Sequence, residues 1–145
     1  MAGTLFSKII RGDIPCHKLY EDEHVFSFLD INPLSPGHAL VIPKKPVVTL
    51  AELDDESAAA IGRVLPRLCR ALCAVTGIED YNVLQNNGKL AHQAIMHVHF
   101  HIIPKPRDDG GLGIKWPAKK LESAEGARLA EAIVAALGRD VAPAE

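Results

Sequence analysis

Three histidines occupy alternate positions in one short segment of the sequence, residues 97–104, and every residue between them is apolar. Successive side chains of a β-strand point to opposite faces, so His97, His99 and His101 are expected to share one face of a strand. The apolar side chains would then face the core. Three imidazoles on one face predict a site for chemistry near neutral pH, because histidine has its unperturbed pKa in that range.

The pattern leaves three interpretations open. The segment could be a half-exposed edge strand, which the strict alternation of three histidines disfavours. It could bind zinc, since histidine nitrogens are common zinc ligands. It could also supply a nucleophile, with His99 attacking phosphorus while its second ring nitrogen donates to a fixed acceptor. In that case His101 or His97 lies nearest the departing atom and serves as general acid.

Four further residues could complete such a site. Asp30 follows a predicted strand, and its carboxylate could accept hydrogen bonds from both hydroxyls of a ribose or could simply cap a turn. Asn86 and Gln93 lie in a segment with an Asn-Gly turn, whose amides could hold phosphate oxygens, although such a turn also forms without a ligand. His38 begins a predicted buried strand and is either a buried histidine with a protein partner or a fourth histidine of the site.

The composition excludes several classes of partner. The chain has 145 residues, enough for one domain with a core, and a net charge of −2, which gives no electrostatic surface for nucleic acid or an anionic membrane. No apolar run approaches the length of a membrane span. The first residues lack the pattern of a secretory signal, so we expect a reducing compartment, the cytoplasm or the nucleus. The three cysteines lack the spacing of a disulfide framework or a cysteine zinc site.

Hydrophobic periodicity and turn residues predict the elements that would position the candidate side chains. We expect a helix at residues 6–11, a long helix between a cap at Asp54 or Asp55 and a stop at Gly77, and a last helix at about 123–137. Strands are expected at residues 18–20, 24–29, 38–42, 81–85 and 97–104. Pro66 falls inside the long helix and should kink it. This order predicts a single α+β domain, in which the long helix covers one face of an antiparallel meander sheet.

Several segments together resemble a known family. Residues 97–103 (HVHFHII) resemble the signature of the histidine triad (HIT) superfamily. The segments that resemble its HINT branch are residues 6–15 (FSKIIRGDIP), 28–33 (FLDINP), 37–45 (GHALVIPKK), 85–88 (QNNG) and 116–117 (WP). The resemblance covers about residues 5–120.

The resemblance implies a fold and a reaction. It implies a single domain with the HIT-like α+β fold over residues 1–145, with a core at about 5–120, that forms a homodimer and binds a purine nucleotide such as AMP or GMP. The implied reaction is hydrolysis of the P–N bond of a purine nucleoside phosphoramidate to the monophosphate through a covalent nucleotidyl-histidine. It needs no cofactor and no metal.

The resemblance also implies roles for single residues. His99 is the nucleophile that takes the nucleotidyl group, His101 and His97 flank it, and His38 is the fourth histidine. The implied nucleotide-binding residues are Asp30 at the ribose, Phe6, Ile9, Ile14, Phe28 and Ile31 around the base, Asn86 and Gln93 at the phosphate, and Trp116, which reaches the site of the partner.

Two positions depart from patterns within the family. Many HIT proteins bind a structural zinc through an N-terminal CxxC and two histidines, but here Thr4 and Ser7 occupy the cysteine positions and Pro46 replaces a histidine. We therefore predict no structural zinc. Some HINT proteins carry a serine three residues before the first triad histidine, where this chain has Ala94. The missing hydroxyl is expected to affect the rate and the leaving-group preference.

Three other functions compete with phosphoramidate hydrolysis. Within the same fold, the chain could hydrolyse dinucleoside polyphosphates. It could be a nucleotide-binding adaptor with little turnover. It could also be a metal-dependent hydrolase with His97, His99 and His101 as zinc ligands, although no HExxH-type motif supports this.

Overall fold

The computed structural model describes residues 3–140 and divides the chain into two compact units, Met1–Leu112 and Gly113–Glu145. The first unit contains α1 (Leu5–Arg11), β1 (Lys18–Glu21), β2 (Val25–Leu29), β3 (Ala39–Pro43), α2 (Asp55–Thr76), β4 (Tyr81–Gln85) and β5 (Phe100–Pro104). The second contains α3 (Ser123–Gly138). The three helices and five strands thus occur in the predicted order.

The strands form one antiparallel sheet in the order β1-β2-β3-β5-β4. The first three strands make a meander, as predicted. The last two do not continue it, because α2 carries the chain across the sheet and β5 inserts between β3 and β4. The expected simple meander is therefore wrong for this half of the sheet, and β4 lies at its edge.

The strand that carries the histidines is shorter than predicted. It begins at Phe100, so His97 and His99 lie just before it. The backbone N–H of Val98 donates to the carbonyl of Val47 at 2.9 Å, in the segment that follows β3. This bond holds residues 97–99 outside the ladder, and only His101 of the three histidines belongs to the sheet.

Alternation along the strands gives the sheet two different apolar faces. Val25, Val41 and Ile102 face α2, whose buried positions Ile61 and Val64 pack against them. The opposite face carries a second cluster, in which α1 contributes two side chains and the strands four: Phe6, Ile9, Phe26, Phe28, Leu40 and Ile42. His101 alternates with Ile102, so its side chain lies on the face that α1 covers.

Local signals account for the ends of α2. Asp54 is the N-cap, and its side chain accepts from the backbone N–H of Ser57 at 3.3 Å. Gly77 ends the helix with a φ of 72°, a left-handed conformation that glycine adopts without steric cost. Pro66 lies inside the helix, which continues past it to Thr76 as one element.

In the part of the chain that the structure describes, no helix combines the length and the hydrophobicity that a membrane span requires. Cys16, Cys69 and Cys73 are free thiols, and Cys69 belongs to the core cluster between α2 and the sheet.

Candidate active site

A cavity of about 430 Å³ opens on the sheet face that α1 covers. Its lining includes most of the predicted site residues: Phe6, Ile9, Ile14, Phe28, Asp30, Ile31, His38, Asn86, His99 and His101. One part of the wall is apolar, whereas histidine nitrogens and the carboxylate of Asp30 occupy another. The cavity thus combines an apolar compartment with a cluster of titratable groups.

The ring of His99 has a defined tautomer. Its Nδ1 lies 2.7 Å from the carbonyl oxygen of His97, which can only accept, so Nδ1 carries the proton. Burial lowers the pKa of His99, although the bond to His97 and the charge of Asp30 oppose the shift. The side chain is therefore neutral at pH 7, with a lone pair on Nε2. A neutral imidazole with a free lone pair can attack phosphorus.

The ring of His101 has the opposite tautomer. The backbone N–H of Leu34 donates to Nδ1 of His38 at 3.1 Å, so the proton of His38 is on Nε2. That Nε2–H donates to Nδ1 of His101 at 2.9 Å, and the proton of His101 is therefore on its Nε2. The rings of His99 and His101 are 4.9 Å apart between centroids. The cavity thus places a lone pair and an N–H donor side by side.

His97 does not line the cavity, although the sequence pattern grouped it with the other two. Its side chain is completely buried. Nε2 donates to the carbonyl of Pro43 at 2.8 Å, and Nδ1 accepts from the hydroxyl of Thr4 at 2.7 Å. Because both ring nitrogens have protein partners, His97 has no N–H to give to a leaving group. Of the two alternatives for the general acid, the geometry favours His101.

The same contacts contradict a zinc site made of the three alternating histidines. Among residues 3–140, the histidine and carboxylate atoms that come together belong instead to Asp30, His38 and His101, within 4.8 Å of one another. The two histidines of this group hydrogen bond to each other. The proton chain described above accounts for their arrangement.

Asp30 caps a turn, one of the two roles considered for it, and its contact with a ribose stays a prediction. Oδ1 accepts from the backbone N–H of Asn32 at 2.8 Å, which caps the turn after β2. Oδ2 lies 3.6 Å from Nε2 of His38. Burial lowers the pKa of His38, and the charge of Asp30 partly offsets this. The carboxylate therefore retains acceptor capacity at the edge of the histidine cluster.

The loop before the histidines contains one residue whose predicted contact must be revised. Gln93 is buried and does not line the cavity. Its Oε1 accepts from the N–H of Gly88 at 2.7 Å, and its Nε2 donates to Val48 and Ile95 at 2.7 and 3.1 Å. With its carboxamide fully engaged, Gln93 anchors the loop and has no group left for phosphate. Asn86 lines the cavity, and its contact with phosphate stays a prediction.

Two other residues of this loop lie at the cavity. Ala94 lines it and contributes no hydroxyl. His92 also lines it and has a φ of 72°, the one positive value among non-glycine residues of the described chain. Its O accepts from Nδ2 of Asn86 at 3.4 Å.

Trp116 belongs to the second unit, where its side chain is 82% exposed. Its predicted contact with the site of a partner subunit stays a prediction.

Sequence reasoning missed the contact between Thr4 and His97. In the sequence, Thr4 was considered only because it occupies a cysteine position of the structural zinc motif. The available signal was its position directly before a predicted helix, where threonine is a favoured N-cap.

The buried histidines are expected to make the fold sensitive to mild acid. Burial, together with the neighbouring His99 and His38, lowers the pKa of His101 to about 4. The pKa values of His38, His97 and His99 are also lowered, mainly by burial. As the pH falls below 6.5, the unfolded chain takes up protons that the folded protein does not. The free energy of unfolding then falls by about 1.4 kcal/mol per pH unit for each such proton.

Denaturant unfolding at pH 7.5, 6.5 and 5.5 measures this effect. Carboxyl groups act at lower pH: Glu21, whose pKa is lowered below 4.5 by hydrogen bonds from Lys44 and Lys18, contributes little in this window. Stability that stays constant between pH 7.5 and 5.5 would contradict the buried, neutral state of the histidines.

Comparison with known proteins gives consistent matches. Residues 11–108, which include His38 and all three alternating histidines, match the model of the HIT domain. Over 129 residues, the chain is 50% identical to adenosine 5'-monophosphoramidase hnt1 of Schizosaccharomyces pombe, covering 89% of this chain and 94% of that protein.

Two solved structures have the same fold. A hypothetical protein from Leishmania major is 49% identical, with a TM-score of 0.89 over 94% of this chain and 97% of the other. A histidine triad nucleotide-binding protein from Candida albicans is 40% identical, with a TM-score of 0.87 over 94% and 99% of the two chains.

Proposed function

Because this chain belongs to the HIT domain family, we propose that it hydrolyses purine nucleoside phosphoramidates to the nucleoside monophosphate through a covalent intermediate on His99. The observation that carries this proposal is the pair of opposite tautomers 4.9 Å apart, with a lone pair on His99 and an N–H on His101. Cleavage of a P–N bond needs both, a nucleophile for phosphorus and a proton for the departing nitrogen.

In the first step, Nε2 of His99 forms a bond to phosphorus. The P–N bond breaks, its electron pair leaves with the nitrogen, and the nitrogen takes a proton from the His38–His101 pair. In the free protein this pair is neutral at pH 7, with the pKa of His101 at about 4. An anionic phosphoryl group in the cavity raises that pKa, because opposite charge favours the protonated ring. The pair therefore takes up one proton from solvent as the substrate binds, and it passes one proton to the departing nitrogen.

In the second step, water attacks the phosphorus of the nucleotidyl-histidine. The bond from phosphorus to Nε2 breaks and its electron pair returns to His99. The water gives one proton to the His38–His101 pair and its oxygen to the nucleotide. The nucleoside monophosphate leaves, the pair releases its extra proton to solvent, and His99, His38 and His101 are restored to their starting states.

The rest of the cavity suits a nucleotide. The apolar wall offers Phe6, Ile9, Ile14, Phe28 and Ile31 to a purine base. Asp30 lines the same cavity, with Oδ2 3.6 Å from Nε2 of His38, and would accept hydrogen bonds from the ribose hydroxyls. Asn86, on the loop beside the histidines, would contact phosphate. Each chemical part of a nucleoside monophosphate thus has a complementary group.

We also propose a homodimer, the assembly that the family resemblance implies. Strand β4 lies at one edge of the sheet, and its Tyr81 and Val83 are 44% and 47% exposed. An edge strand with exposed apolar side chains is a natural surface for pairing with a second copy. Sedimentation equilibrium of the full chain distinguishes the dimer from the monomer.

The first test is release of AMP from adenosine 5'-phosphoramidate by protein treated with EDTA. We expect steady release of AMP, unaffected by the chelator. The 2'-deoxy analogue should react about tenfold more slowly, because it lacks one hydroxyl for Asp30 and a bond to a charged acceptor contributes about 1.5 kcal/mol or more.

The alternatives give different outcomes in the same assay. Absence of AMP release, together with hydrolysis of diadenosine polyphosphates, would favour the polyphosphate hydrolase. Binding of AMP without hydrolysis of either substrate would favour the adaptor. Activity that EDTA removes and zinc restores would favour the metal-dependent hydrolase.

A further inference from the structure

The hydroxyl of Thr4 joins helix α1 to the histidine segment, and we propose that Thr4 is a positioning residue for the nucleophile. Thr4 is the N-cap of α1, and its Oγ1 accepts from the backbone N–H of Ser7 at 3.1 Å. The same oxygen lies 2.7 Å from Nδ1 of His97. One hydroxyl therefore serves both the start of a helix and the buried ring behind the site.

The direction of each hydrogen bond can be assigned. The carbonyl of Pro43 takes the Nε2–H of His97, so Nδ1 of this neutral ring can only accept. Thr4 must therefore donate its proton to His97. Oγ1 of Thr4 then has two lone pairs, which receive Ser7 N–H and, at 3.2 Å, the hydroxyl of Ser7. A hydroxyl has one donor and two acceptor positions, and all three are used here.

The chain of contacts continues to His99. The carbonyl of His97 holds Nδ1 of His99 at 2.7 Å and so fixes the tautomer that leaves Nε2 unprotonated. Phe6, two residues after Thr4 on α1, packs edge-on against both rings, with centroids 5.7 Å from His97 and 5.0 Å from His99. Thr4 thus links helix α1, which lines the base compartment, to the segment that carries the imidazole that attacks phosphorus.

This arrangement predicts which kinetic constant depends on Thr4. The hydroxyl does not line the cavity, so nucleotide affinity should not depend on it directly. Its loss leaves Nδ1 of His97 buried without a donor, and the ring and its carbonyl can then shift. The orientation of His99 becomes less defined, and the step that forms the bond to phosphorus slows.

The inference rests on the proposed reaction, and two variants test it, of which the valine variant has nearly the size of threonine. Thr4→Val removes the hydroxyl, and Thr4→Ser keeps it. With adenosine 5'-phosphoramidate, we expect Thr4→Val to lower kcat about tenfold, equivalent to the loss of one buried hydrogen bond. The Kd for AMP should stay within about twofold, and Thr4→Ser should restore most of kcat.

A matched control separates positioning from a general loss of stability. The hydroxyl of Thr76 donates to the carbonyl of Leu72 at 2.7 Å and accepts from the N–H of Ile78 at 3.2 Å, at the end of α2. Thr76→Val loses two hydrogen bonds without touching a histidine, and kcat should not change. If Thr4→Val keeps full kcat, or if Thr76→Val lowers kcat as much as Thr4→Val does, the positioning role is wrong.

A second readout does not need turnover. Ring ¹⁵N shifts report the tautomers of His97 and His99 in the wild type, and we expect Thr4→Val to alter both, whereas Thr76→Val alters neither. Unchanged shifts in Thr4→Val would contradict the inference even if the protein proved to act on another substrate. Altered shifts together with an inactive wild type would instead contradict the proposed function alone.

Discussion

Replacing His99 with alanine is expected to lower kcat for adenosine 5'-phosphoramidate by about 10⁴-fold or more, the scale on which loss of a covalent nucleophile acts. Binding of AMP should change little, because the base wall, Asp30 and Asn86 remain. The other two alternating histidines cannot replace His99: both nitrogens of His97 have protein partners, and Nδ1 of His101 accepts from His38. Turnover and AMP affinity, measured on the same preparation, test this directly.

The matched control is His17→Ala. The side chain of His17 is exposed and does not line the cavity, so the variant should retain full activity. A nucleotidyl adduct, detected by intact mass after rapid mixing with substrate, should appear in the wild type and be absent from His99→Ala. If His99→Ala lost AMP binding together with turnover, a structural role for His99 would replace the catalytic one. If it kept turnover, the covalent mechanism would be wrong.

Local signals predicted the elements of the fold well, because their causes lie within a few residues. Strand β4 begins and ends as expected, and Gly12 and Gly77 end α1 and α2 in left-handed conformations. The position of β5 between β3 and β4 was not predictable in the same way. It depends on pairings such as Leu40 with His101, which the sequence separates by the whole of α2 and β4.

The same distinction applies to the site. The candidates chosen from the sequence by residue type include four that line one cavity: His38, His99, His101 and Asp30. Their protonation was not, because each tautomer depends on an acceptor or donor far along the chain. His97 is the clearest case. Its ring nitrogens hydrogen bond to Pro43 and Thr4, which are 54 and 93 residues away in the sequence, so the side chain is buried and does not line the cavity as its spacing predicted.

Gln93 differs from its prediction for a related reason. A carboxamide next to an Asn-Gly turn resembles a phosphate contact in the sequence. In the folded chain, the side chain of Gln93 is buried, and a buried carboxamide needs hydrogen-bond partners. It finds them in the N–H of Gly88 and the carbonyl of Val48, and the second of these belongs to a segment that only the fold brings close.

Replacing His101 with alanine is expected to lower kcat about 10³-fold for a phosphoramidate with an alkylamine leaving group, within the range for removal of a general acid. The size of the loss should depend on the leaving group. An amine must gain a proton as the P–N bond breaks, whereas 4-nitrophenolate leaves as a stable anion. For adenosine 5'-(4-nitrophenyl phosphate), the same substitution should therefore lower kcat much less, about tenfold.

This ratio separates proton donation from simple contact with phosphate. If His101 only held the phosphoryl group, both substrates would slow by the same factor, and the assignment of His101 as the acid would be wrong. The proton chain from Leu34 through His38 adds a further constraint, since the Nε2–H of His38 fixes Nδ1 of His101 as an acceptor. His38→Ala removes that partner. It should also lower kcat more for the alkylamine substrate than for the 4-nitrophenyl ester, but by smaller factors than His101→Ala. The two histidines would then act as one acid, whose proton becomes available only when an anionic substrate raises the low pKa of His101.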